Sequence, residues 1–168
     1  MVDNILEFNR AEFSNCRNWR YTLFRRWNFN TDAKYCMFIG LNPSTADEVT
    51  QDPTVTRCCQ YAQDWGFDGL CMTNIFAYRA TDPKVMKQQA DPVGVDNDKW
   101  LIKCGKSAEL VVAAWGTHSA YRDRGIEVLE LFDKHNIALH ALKLTRKGYP
   151  SHPLYLKSSL KPFLLEVA

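Results

Sequence analysis

Four short apolar-rich runs, YCMFIGL (35–41), LCMTNIF (70–76), LVVAAW (110–115) and IALHAL (137–142), recur along the chain with segments of helical spacing between them. A short run that is apolar nearly throughout reads as a strand covered on both faces, and such strands belong to parallel sheets shielded by their crossover helices. The order βαβαβαβ therefore predicts an α/β fold: a single-domain three-layer αβα sandwich over residues 1–168 with a mostly parallel central sheet. No repeat, linker or low-complexity stretch divides the chain.

Local signals fill in the elements. WRYTLFRRW (19–27) is separated from the 35–41 run by the polar turn Asn28 to Lys34, a pattern that predicts an N-terminal antiparallel hairpin strand leading into the sheet. Asp52 and Pro53 suit the N-cap and first position of a helix whose buried face runs through Val55, Cys58, Cys59, Ala62, Trp65 and Gly66, with Gly66 ending it. Further helices are predicted near 83–90, over 94–106 with Trp100, Leu101 and Cys104 inward, and over 118–134 with Ile126, Leu129 and Phe132 or Asp133 on one side.

Charge and cysteine usage exclude several classes. With 21 Lys and Arg against 19 Asp and Glu, a formal +2, the chain lacks the basic coat of an indiscriminate polyanion binder. Its six cysteines show no C-x-x-C spacing and sit in apolar patterns, so they read as buried free thiols, with no metal site and no cofactor expected. Asp91, Asp96 and Asp98 resemble a cation cluster, but a solvated loop entering a helix N-terminus accounts for them better. Met1 to Glu7 carries no leader pattern and no run of 18 apolar residues occurs, which predicts a cytoplasmic protein without a membrane partner.

In open α/β sheets ligands gather beyond the carboxyl ends of the strands. Four polar punctuations fall there: Asn42-Pro43-Ser44-Thr45, Asn74 with Tyr78 and Arg79, Trp115-Gly116-Thr117-His118, and Thr145 to His152-Pro153. Arg57, one turn into its helix, and Arg79 are candidates for holding a phosphate, beside the ordinary reading as surface ion pairs. From Lys143 to Lys161 there are five basic residues and no acid. That patch offers Arg146, Lys147 and Lys157 as contacts to a nucleic-acid backbone, with Leu154 and Tyr155 as an apolar wedge beside a base.

Taken together, IGLNPSTADEVTQDPTVTRC, TNIFAYRATDP, DPVGVDND, VVAAWGTH and GYPSHPLYL resemble the bacterial and phage domain-of-unknown-function family 1643 over nearly the whole chain. More distantly, the motif order is similar to that of the uracil-DNA glycosylase superfamily: a G-x-N-P first-strand motif, an Asn at the next strand end, a V-x-x-x-W-G strand and a closing H-P. That resemblance implies a glycosylase-like sheet, with Asn42 orienting the attacking water, Asn74 reading the base edge and His152 donating to the departing base. An amide is no strong base, so Asp47 or Asp52 would take the proton.

Ser44-Thr45 and Leu154-Tyr155 depart from the superfamily's usual pocket residues. Ser44, Thr45, Arg57, Arg79 and Tyr155 join Asn74 as expected substrate contacts. The expected function is a nucleobase- or nucleotide-recognising domain, acting as an N-glycosidic hydrolase on a base in DNA. The rival readings are a hydrolase or transferase on free nucleotides and a non-catalytic nucleotide or nucleic-acid binding module.

Overall fold

A computed structural model describes residues 9–166; the Met1 to Glu7 segment that bears on a leader lies outside them. Strand β3 (Tyr35–Gly40) is buried along its whole length, and its side chains alternate between two cores. Cys36 and Phe38 pack with Val55, Cys58, Tyr61 and Ala62 of helix α1 (Pro53–Asp64). Met37 and Ile39 pack with Leu101 and Cys104 of α3 (Asn97–Ser107) and Val128 and Phe132 of α4 (Arg124–Lys134). A strand with helices on both sides cannot spare a polar face, which is why its sequence shows no alternation.

The remaining strands are β1 (Arg10–Phe13), β2 (Arg20–Arg26), β4 (Gly69–Asn74), β5 (Leu110–Ala113), β6 (His140–Ala141) and β7 (Phe163–Leu164), and a short helix α2 spans Pro83–Lys87. They form one seven-stranded sheet in the order β1-β2-β4-β3-β5-β6-β7. The β4·β3, β3·β5 and β5·β6 pairs are parallel, whereas β1·β2, β2·β4 and β6·β7 are antiparallel. The fold is thus mixed α/β, and the expectation of a mostly parallel sheet gives way to a parallel centre with antiparallel flanks.

Two local expectations are corrected. The runs 19–27 and 35–41 do not pair as a hairpin, because β4 lies between them, parallel to β3 and antiparallel to β2 with Leu23 opposite Met72. The crossover through α1 lays β4 on that edge of β3, and the hairpin partner of β2 is the short β1. The predicted 118–134 helix breaks at Arg122 and Asp123, whose φ angles of 54° and 53° are left-handed. The break resets the helical phase, so Val128 and Phe132 point inward while Ile126 is 57% exposed.

The aspartates separate. Asp91 accepts from the Gly94 amide at 3.0 Å, and Asp98 pairs with the buried Arg124. No group of three or more His, Cys, Asp or Glu is placed to hold a metal ion among the described residues. All six cysteines are free, four of them buried. No helix among the described residues is long and apolar enough to cross a membrane.

Candidate functional site

Beyond the carboxyl ends of β3, β4 and β5 lies a cleft of about 580 Å³. Asn42, Ser44, Thr45, Asp52, Asn74 and His152 all line it, with Arg20 and Trp115. Its volume falls within the roughly 300–1,000 Å³ typical of small-molecule sites.

Each of the three central side chains is placed by backbone around it. As the chain leaves β3 it pairs with the chain leaving β4: the Ile75 and Phe76 amides donate to the Gly40 and Leu41 carbonyls, both at 2.9 Å, and the Ala80 amide to Pro43 O at 2.9 Å. Asn42 closes this pairing through Nδ2, which donates to Ala80 O at 2.7 Å and Pro43 O at 3.2 Å. Its two amide hydrogens are then used, and Oδ1 is left to accept.

Asn74 ends β4 and is only 2% exposed. A Cβ on Gly40 would come 2.7 Å from its Oδ1, so the absence of a side chain at residue 40 makes room for it. From the other side, Asn97 Nδ2 donates to the carbonyls of Asn74 and Ile75 at 2.9 and 3.1 Å, and Arg124 Nε donates to Ile75 O at 2.9 Å. With its backbone fixed, Asn74 keeps a buried Nδ2 that has no hydrogen-bond partner among the described residues. A buried donor left unmade costs roughly 1–3 kcal/mol, and a ligand acceptor would satisfy it.

His152 arrives on the far loop. Thr145 and Tyr149 pair across a turn in which Gly148 has φ 85°, the Ser151 amide donates to Lys143 O, and the Gly116 amide clasps Pro150 O at 2.8 Å. Gly116, at φ 74°, turns β5 toward this loop in a conformation that favours glycine. His152 Nδ1 accepts from the Leu154 amide at 3.3 Å. A ring nitrogen that accepts is unprotonated, so the neutral ring carries its proton on Nε2 and offers it as a donor. Although His152 is exposed at the cleft mouth, the atoms packed around its ring disfavour the charged form and lower its pKa, while the Asp52 carboxylate pulls the other way.

Asp52 caps α1 by accepting from the Val55 amide at 2.9 Å and also faces the cleft. The other expected residues lie elsewhere. Asp47 Oδ1 accepts from the Thr50 and Val49 amides, bonds that hold its carboxyl below the usual range, and it does not line the cleft. Arg57 donates to Leu156 O and Gln60 Oε1 and lies over the Tyr61 ring. Arg79 lines a separate shallow groove that shares Ser44 and Thr45 with the cleft. Tyr155 is 92% exposed, and Arg146, Lys147 and Lys157 are exposed on loops that do not line the cleft.

Sequence reasoning missed Arg20. It opens β2, is 2% exposed, and reaches the cleft from the antiparallel strand, where its amide donates to Ala77 O just past the end of β4. Burial pulls its pKa down to about 10, partly opposed by Asp52.

A family described as a protein of unknown function, DUF1643, matches residues 20–154. No curated protein and no solved structure matches the chain.

Proposed function

We propose that this chain, which belongs to the DUF1643 family of proteins of unknown function, recognises a nucleobase or nucleotide in its cleft and hydrolyses the N-glycosidic bond. The observation that carries the reading is Asn74: a buried amide with an unpartnered donor, at the wall of a cleft that also presents an acceptor from Asn42 and a donor from His152. An amide offers a donor and an acceptor side by side, which suits the edge of a base. The motif order, which distantly resembles that of the uracil-DNA glycosylase superfamily, and a parallel sheet centre with helices packed on both sides are what support reading the fold as a glycosylase-like sandwich.

In this scheme Asn42 Oδ1 accepts from a water and aims its oxygen at the anomeric carbon. As that C–O bond forms, the C–N bond breaks and its electron pair leaves with the base. His152 Nε2–H donates to the base as negative charge develops there, and Asp52 takes the water's proton, which ends on the base nitrogen. A donor held where charge appears only in the transition state lowers the barrier, and its removal typically costs about 10²–10³ in rate.

Arg146, Lys147 and Lys157 stand off the cleft, which favours a free nucleotide over DNA as the second form of the reading. Incubating the protein with a panel of nucleotides and oligonucleotides and measuring free base tests it. Release by the wild type that is lost in Asn74→Ala supports the reading; binding of these probes without release leaves a binding module, and no binding at all defeats it.

A further inference from the structure

Two arginines of β2 are buried against the 42–52 segment, and they differ in one respect. The Arg25 guanidinium donates four hydrogen bonds, to Gln51 Oε1, Phe24 O, Asp47 O and Thr50 O. Arg20 is far less engaged. Its guanidinium makes one hydrogen bond among the described residues, from Nη1 to Ala46 O at 2.8 Å, and its buried Nε has no partner. No carboxylate lies within ion-pair distance of it among the described residues; Asp52 acts on it only through space. Anchoring the loop accounts for Arg25 and leaves most of the Arg20 fork unused.

A guanidinium taken out of water without a counter-charge is costly, and its planar fork matches the oxygens of a phosphate. Arg20 lines the same cleft as Asn74, whose Nδ2 is the second unpartnered buried donor there. From this pair we infer that Arg20 is the seat of a terminal phosphate monoester, and that the cleft takes a nucleoside monophosphate with the phosphate on Arg20 and the base on Asn74. The identity of the base half rests on the reading proposed above; the anion seat does not. Arg20 is only 2% exposed at the wall of the cleft, and a terminal phosphate, with a single ester link, can enter end-on where a backbone phosphodiester must bring two sugars with it.

The test is a titration of wild type, Arg20→Gln and Arg20→Lys with inorganic phosphate, the common nucleoside 5′-monophosphates and the matching nucleosides. At least one monophosphate should bind wild type about tenfold or more tighter than its nucleoside, with the ratio near one in Arg20→Gln and intermediate in Arg20→Lys. The Arg20 Nε–H resonance of the wild type, moving when inorganic phosphate is added, gives the same answer if Arg20→Gln fails to fold. Equal binding of nucleoside and monophosphate with a silent Arg20 resonance overturns the anion seat while leaving the nucleobase reading standing. A phosphate response without binding of any nucleoside or nucleotide supports the seat and removes the base. No response to any probe overturns both.

Discussion

Gly40 and Asn74 are register partners at the ends of β3 and β4, and a Cβ on Gly40 would sit 2.7 Å from Asn74 Oδ1. That spacing is far inside van der Waals contact. Gly40→Ala should therefore displace the Asn74 amide, with Met72 Cε, 2.9 Å from the same Cβ position, also giving way. Over-packing of this kind costs about 1–3 kcal/mol. Urea unfolding measures that cost, and a parallel loss of nucleotide binding is expected; intact binding would mean that Met72 alone moves.

Asp52 has two duties that substitution separates. Asn caps a helix as well as Asp does, so Asp52→Asn should keep the stability of α1, whereas Asp52→Ala should lose about 1 kcal/mol. Base release should fall in both, since neither can take a proton from water. Full turnover in Asp52→Asn would remove the carboxylate from the chemistry and leave it as a cap.

The pKa of His152 is lowered by the atoms packed around its ring, so the proton binds the unfolded chain more readily than the folded one. Stability from this residue is then complete above the ordinary histidine pKa near 6.5 and is lost as pH falls through that value toward the lowered one. Protonation also places a hydrogen on Nδ1, where the Leu154 amide now donates. Nitrogen NMR of His152 should show the Nε2–H form at pH 7 and a midpoint below 6.5; a midpoint above 6.5 would contradict the packing described for the ring.

Lys147 and Lys157 are exposed and stand away from the cleft. Replacing both with Ala should leave mononucleotide affinity unchanged. If an oligonucleotide binds, the double variant should weaken it evenly across sequences and flatten its salt dependence. Binding to an oligomer with an unaltered salt slope would make this segment an ordinary solvated surface.

How much of this was legible follows from where each residue's partners lie. β3, β4 and β5 were readable because burial on both faces leaves nearly continuous apolar runs, while β1 and β7, four and two residues long at the sheet edges, leave too little pattern to see. Asn42 and Asn74 stand out as polar residues at the ends of such runs, whereas His152, ten residues past the last run, is marked only by the closing H-P of the family resemblance. Asp47 and Arg57 did not lead to the cleft because their partners are the amides of Val49 and Thr50 and the carbonyl of Leu156, contacts set by loop geometry. Arg20 was hidden by its strand, where a charged residue reads as the solvent face until the 42–52 segment folds over it. The 19–27 and 35–41 runs look like a hairpin because adjacency in sequence says nothing of the crossover that puts β4 between β2 and β3.

The central claim, that the Asn74 amide reads a base, is tested most directly by following the side-chain amide resonances of the wild-type protein while free nucleobases and nucleosides are added in turn. One of them should shift the Asn74 Nδ2 signals saturably, with Asn42 following, and the shift should be absent for ribose 5-phosphate, which lacks a base. If none of these compounds moves Asn74, or if one binds while both amides stay still, the cleft does not recognise a base and the reading fails.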